Sequence, residues 1–173
     1  MTTGSVQTET VEWFPDGKRL LLSGNETNQP PRTYMLDLAT QKIRAVTPSG
    51  MRASAISPDG EFAAVISEGK LMIHSFTNNR DTSVGPVEPG TSVIRWSGDG
   101  HYLFLQQKQA GRPTVPLIRI DIRTRNKEVW RELKPPDPTA FFFGTAHLSA
   151  DGQSYAFSFQ RDLSTLYLVK GVK

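Results

Sequence analysis

One four-residue turn recurs along this chain. Ser57-Pro58-Asp59-Gly60 has altered copies at Phe14-Pro15-Asp16-Gly17, Ser97-Gly98-Asp99-Gly100 and Ser149-Ala150-Asp151-Gly152. Their aspartates lie 43, 40 and 52 positions apart. A single turn returning at near-constant period marks an array of about four similar units, each too small to bury a core alone.

The turn chemistry says what each unit is made of. Proline pre-sets φ at the second turn position, aspartate favours the next, and glycine takes the left-handed conformation that other residues resist. A type I turn followed by a left-handed glycine closes a short β-hairpin. Three residues before each aspartate stand Trp13, Ile56, Trp96 and Leu148. Just after each glycine come the apolar runs 20–22, 62–66, 102–105 and 155–157. Such short runs between turn residues predict strands buried on both faces.

Read in order, the first repeat predicts strands at 6–14, 19–23, 33–38 and 42–47. The second predicts 53–57, 62–67, 71–76 and a weak outer strand at 81–84. The third predicts 92–96, 102–106, 115–122 and 127–132, and the fourth 141–148, 154–159 and 165–169. The repeats thus run approximately 6–49, 50–90, 91–137 and 138–173, within one domain. Four-stranded antiparallel sheets repeated in series define an all-β chain, a β-propeller of about four blades. A β-sandwich would not need the same turn in each quarter.

The last blade lacks its outer strand, because Gly171-Val172-Lys173 is too short to form one. Met1–Ser5 is also too short to supply it from the other terminus. The chain is therefore expected to be a partial or half ring. Either it is the C-terminal part of a larger propeller, or it pairs with another copy through the open blade, for which two half-rings would share a two-fold axis; a four-blade ring closed by one chain is the rarer alternative.

The turn residues and the Tyr34-Met35-Leu36-Asp37-Leu38 strand resemble the WD40-like (PD40) propeller repeats of TolB-type proteins. A closer resemblance covers Ile118–Gly171. It is carried by Ile118-Arg119-Ile120-Asp121-Ile122-Arg123-Thr124, by Glu128 through Pro138, by Leu148 through Ser158, and by Leu163 through Gly171 with its Leu-Tyr-Leu-Val-Lys-Gly ending. This stretch is similar to the end of the propeller that follows the kinase domain in bacterial (acidobacterial-type) eukaryotic-like serine/threonine kinases. The resemblance implies a kinase parent, not a kinase in this chain. The Gly-rich phosphate cover, strand lysine, catalytic-loop aspartate and Asp-Phe-Gly that phosphoryl transfer needs are missing from the 173 residues, as is a P-loop.

Other chemistry is sparse. There is no cysteine, hence no disulfide or thiolate metal site. Twenty Lys and Arg stand against 17 Asp and Glu without a like-charge run, which is no nucleic-acid footprint. No run reaches the roughly 18 apolar residues of a membrane span, and no signal peptide is visible, so the compartment stays open between cytoplasmic and extracytoplasmic. His74, His101 and His147 fall in separate repeats without ligand spacing, and each is expected to be structural or surface. No cofactor is implied.

Binding residues are expected on loops at one end of the blades. The long loops 24–32 and 107–114 and the link 134–139 collect Arg32, Arg52, Lys108, Arg112 and Lys134 near one rim. The lead-in strands should be innermost, with Glu9, Glu12, Arg95 and His147 as their ionisable residues. The leading expectation is a non-catalytic module that binds a protein or peptide, as the C-terminal sensor or interaction region of a kinase. The alternatives are a free-standing TolB-like oligomeric binding protein and a hydrolase with a channel active site.

Overall fold

The computed structural model describes residues 6–109, 112, 114–137, 139, 141–161, 167 and 171, without the side chains of 141–143. Fourteen strands form four antiparallel sheets among them. The first blade is β1 (Gln7–Trp13), β2 (Arg19–Asn25), β3 (Arg32–Asp37) and β4 (Lys42–Ala45). The second is β5 (Ala53–Ile56), β6 (Phe62–Ser67), β7 (Lys70–Ser75) and β8 (Asp81–Pro86). The third is β9 (Thr91–Trp96), β10 (Tyr102–Gln107), β11 (Val115–Asp121) and β12 (Lys127–Leu133). The fourth shows β13 (Phe141–Leu148) and β14 (Tyr155–Gln160). In each four-stranded blade, sequence order is sheet order. The third strand expected at 165–169 lies outside the described residues, as does the outcome for the Phe141–Phe143 side chains.

The recurring turn is built as its residues dictate. Gly17, Gly60, Gly100 and Gly152 have φ of 64°, 73°, 73° and 68°. Each donates its N–H back to the carbonyl three residues earlier, at 2.9–3.0 Å. In the three serine-bearing copies a side-chain network locks the loop. Ser57 Oγ donates to Asp59 Oδ1, which also accepts from Glu61 N at 2.9 Å, while Phe62 N donates to Ser57 Oγ at 2.9 Å. Ser97–Asp99 and Ser149–Asp151 repeat this pattern. A second device closes the outer hairpins. Asp37 accepts from Thr40 N and Asp121 from Thr124 N, at 2.8 and 2.7 Å.

The innermost strands stand side by side, β1 next to β5, β5 next to β9 and β9 next to β13. Between successive blades lie three apolar seams. The first joins Phe14, Leu21, Met35 and Val46 to Ala53, Ile56, Ala63 and Val65. The second joins Ala55, Ala64, Leu71 and Ile73 to Trp96, Leu103, Leu105, Ile118 and Ile120. The third joins Phe104, Val115, Leu117 and Leu133 to Ala146 and Leu148. Burial of this apolar area, at about 25 cal/mol per Å², is the main force holding blade to blade.

The prediction of post-turn strands buried on both faces is correct for β6 and β10 and wrong for the last. In β14, Tyr155 and Phe159 are 43% and 44% exposed, and Ala156 is exposed as well. For Ala156 the reason is positional: β6 and β10 each lie between two blades, whereas among the described residues no blade covers the far side of β14; Tyr155 and Phe159 share the near face with Phe157, which packs against the third seam. On the opposite face of the first blade Val11 and Trp13 are 57% and 61% exposed, although Leu22 and Tyr34 across from Val11 are buried.

Candidate functional site: the axial cavity

The four innermost strands border an open cavity of about 500 Å³. Glu12, Trp13, Ile56, Arg95, Trp96, His147 and Leu148 line it. A second cavity, about 540 Å³, continues it toward the start of these strands, past Glu9, Arg52, Ser54 and Val93. Glu12 and His147 line both, so the two form one groove along the axis.

Arg95 is held by the backbone on either side of it. Its Nε donates to Trp96 O at 3.0 Å and its Nη1 to Leu148 O at 2.8 Å, so it bridges β9 and β13. Glu12 is half-buried and accepts from Ile56 N at 3.3 Å. Its carboxyl is pushed up to about 7, because burial disfavours the charged form more than the Ile56 N–H and the Arg95 charge favour it. His147 is exposed into the same groove. At the other end Glu9 and Arg52 form a two-pronged ion pair, with Arg52 Nη2 3.0 Å from Glu9 Oε1. A carboxyl that is about half-protonated near pH 7, a guanidinium and an imidazole therefore converge between apolar walls. Such a set donates hydrogen bonds to carbonyl or carboxylate oxygens.

The five cations expected at one rim sit at the ends of different strands. Arg52 lies in the groove. Arg32 begins β3 and is half-buried, with its Nε lacking a hydrogen-bond partner among the described residues. Lys108 follows β10, and its N–H donates to Gly90 O at 3.0 Å. Arg112 and Lys134 are exposed beyond β10 and β12. Of the inner-strand set, all four residues line the axis. What sequence reasoning missed is the raised carboxyl of Glu12, which comes from its burial against the second blade, whose Ile56 lies 44 residues away.

The other histidines differ. His74 is fully buried with Nδ1 2.8 Å from Asp81 Oδ1, and His101 is exposed with Nδ1 3.5 Å from Asp99. Among the described residues, no group of three or more His, Cys, Asp or Glu could hold a metal ion. No helix there is long and apolar enough to cross a membrane.

This is the fold of a TolB-like β-propeller. TolB from Acinetobacter baumannii matches with a TM-score of 0.67 at 20% identity, over 92% of this chain and 39% of that one. The structure of putative TolB from Agrobacterium tumefaciens matches with a TM-score of 0.67 at 16% identity, over 90% of this chain and 56% of that one. Oligogalacturonate lyase from Vibrio parahaemolyticus matches with a TM-score of 0.58 at 18% identity, over 90% of this chain and 54% of that one. The chain thus spans about two fifths to just over half of these proteins. No family model matches it. No curated protein matches it either.

Proposed function

We propose that this chain is a non-catalytic propeller module that binds a protein or peptide segment along its axial groove. The observation that carries the reading is the convergence of Glu12, Arg95 and His147 in one elongated cavity on rigid inner strands. The groove is long, open and lined by alternating apolar and hydrogen-bonding groups, which suits an extended peptide better than a compact metabolite. Arg95 spends two donors on the backbone and keeps the rest of its guanidinium for a ligand. Arg52 and the rim cations Arg32, Lys108, Arg112 and Lys134 would attract an acidic or carboxylate-bearing segment toward the groove.

The resemblance of Ile118–Gly171 to the propeller ends of bacterial serine/threonine kinases supports a sensor or interaction role for this module in such a kinase. Sequencing the reading frame on both sides tests that link, and a frame with no kinase domain rules it out. The binding reading is tested by panning a random peptide library against the chain and measuring the selected peptides by calorimetry. Arg95→Ala is expected to weaken them at least tenfold. Peptides that bind wild type and Arg95→Ala equally, with equal indifference to His147→Ala, would sink the axial site.

A further inference from the structure

After the first blade, each turn glycine packs against the blade before it. A Cβ at Gly60 would stand 3.7 Å from Cδ1 of Phe14. At Gly152 it would stand 3.6 Å from Cζ of Phe104 and 3.7 Å from Cζ2 of Trp130. At Gly100, in the middle seam, the described atoms within 4 Å would be those of Pro58 alone. Residue identity explains the difference. Phe14 opens the first turn, where the second has Ser57. Their N–H groups donate to Arg19 O and Phe62 O, each five residues on. Phe104 pairs with Arg119 as Ala64 pairs with Ile73. Trp130 is the bulge residue of β12 as Val84 is of β8. The first and third seams therefore bring a ring of their own against the glycine, and the middle seam has serine, alanine and valine at those positions.

The result is a cavity of about 260 Å³ between the second and third blades. Ser57, Phe62, Gly100 and Ile122 line it. These are the counterparts of Phe14 and of the groups around its ring. Phe76, 5.3 Å from that ring, corresponds to Ile122, since their N–H groups donate to Glu61 O and His101 O, each just after a turn glycine. Gly60 corresponds to Gly100, and Arg19, whose guanidinium lies 4.4 Å from the Phe14 ring, to Phe62. Trp96 adds a second aromatic wall. Drug-sized ligands occupy roughly 300–1,000 Å³, so this cavity has the scale of one ring-bearing residue. Walls of phenyl, indole and isoleucine favour an aromatic ring over a polar group.

Two charged residues, Asp59 and Arg125, also line the cavity, and both are exposed. Asp16, the counterpart of Asp59, holds Arg19 at 2.6 Å. Among the described residues neither Asp59 nor Arg125 makes an ion pair. Ser57 Oγ and Glu61 N both donate to Asp59 Oδ1, which leaves Oδ2 for a ligand. One carboxylate and one guanidinium beside an apolar seat complement the two charges of an amino-acid zwitterion. We propose that this seam binds a free aromatic amino acid. Its ring enters between Phe62, Trp96 and Ile122, its ammonium meets Asp59 and its carboxylate meets Arg125. Trp96 is the one described residue that lines both this cavity and the axial groove. The inference does not rest on that groove's binding a peptide.

Nuclear magnetic resonance of the isotope-labelled chain, titrated with L-phenylalanine, tests it. Saturable amide shifts are expected at Val84, Gly100 and Ile122. Phenethylamine lacks the carboxylate and 3-phenylpropionate lacks the ammonium, and each should bind about three- to fivefold more weakly, the scale of an exposed ion pair. Arg125 has φ of 64°, which glycine accommodates. Arg125→Gly should weaken L-phenylalanine but not phenethylamine. Asp59→Asn keeps the turn's acceptor and should weaken L-phenylalanine but not 3-phenylpropionate. Ser57→Phe gives the second blade the first blade's residue and should abolish binding. Should it not fold, the two charge variants still decide the outcome. Failure of L-phenylalanine to saturate the chain overturns the proposal, as do shifts confined to Glu12, Arg95 and His147. So does N-acetyl-phenylalaninamide binding as tightly as L-phenylalanine, which would make the seat one for a residue within a peptide. Equal losses of L-phenylalanine and phenethylamine in Arg125→Gly overturn it as well.

Discussion

The indole N–H of Trp96 reaches the carbonyl oxygen of Ala55 across the seam between the second and third blades, 3.2 Å away. Forty-one residues separate them, and no ladder hydrogen bond joins their strands. A blade's own sheet satisfies its backbone, so what binds blade to blade is side-chain burial and a few bonds such as this one. Trp96 is 5% exposed and packs with Leu71, Ile73, Leu103 and Leu105.

Trp96→Ala should therefore cost about 3–5 kcal/mol, combining lost apolar burial with a cavity that neighbouring strands cannot close. Trp96→Phe keeps most of the burial and loses the bond to Ala55 O, for about 1–2 kcal/mol. Urea titration followed by circular dichroism measures both. Equal losses would mean that the indole bond, not packing, dominates the seam.

Gln106 makes the corresponding polar link across the third seam. It is 1% exposed. Its Oε1 accepts from Ala146 N at 2.7 Å and its Nε2 donates to Gly144 O at 3.3 Å. Gln106→Leu leaves the buried Ala146 N–H without an acceptor and should cost about 1–3 kcal/mol. Gln106→Glu keeps the acceptor for Ala146 but sets a carboxylate against the Gly144 carbonyl, so it should be worse at pH 8 than at pH 4. A pH-independent loss in the glutamate variant would argue against this geometry.

Two glycines separate conformational strain from steric contact. Gly60 has φ of 73°, and a Cβ there would come no closer than 3.6 Å to Pro15 Cδ. Gly90 has φ of 80°, and a Cβ there would overlap the backbone oxygen of Lys108. Gly60→Ala should cost about 1 kcal/mol, for the left-handed backbone alone. Gly90→Ala should cost clearly more, because the Lys108 N–H to Gly90 O bond must also shift. Thermal melts of the two variants decide the order, and a smaller loss for Gly90→Ala would contradict the close approach.

These pairs mark where the sequence was readable. The hairpin turns were legible because Asp-Gly has few conformational options, and all four glycines have positive φ. Strand order followed, since short turns leave only antiparallel neighbours. Inner-strand position also put Glu9, Glu12, Arg95 and His147 on the axis. The seams were not legible. Ala55 and Ala64 read as ordinary strand residues until the blades are stacked and Trp96 lies against them. The exposure of β14 was missed for the same reason. An apolar run announces a strand but does not say whether another sheet covers it.

Glu12 links the groove to stability. Its carboxyl is raised from the ordinary 4.5 to about 7, with burial as the main cause. Between those values the folded chain holds a proton at Glu12 that the unfolded chain has released. Stability must then fall as pH rises through the window from 4.5 to 7, and the loss is complete above it. Glu12→Gln keeps an acceptor for Ile56 N and carries no charge. It should be more stable than wild type at pH 8, by on the order of 1 kcal/mol after allowance for the water that reaches this half-buried site. The difference should shrink as pH falls and vanish near pH 4. The same titration should govern ligands: an acidic peptide held by Arg95 should bind more weakly above pH 7, where the Glu12 carboxylate competes for the guanidinium, and Glu12→Gln should flatten that dependence. Chemical denaturation and calorimetry at pH 4, 6 and 8 measure both effects. A constant gap between the two proteins would place the Glu12 carboxyl in its ordinary range and remove the neutral donor from the groove.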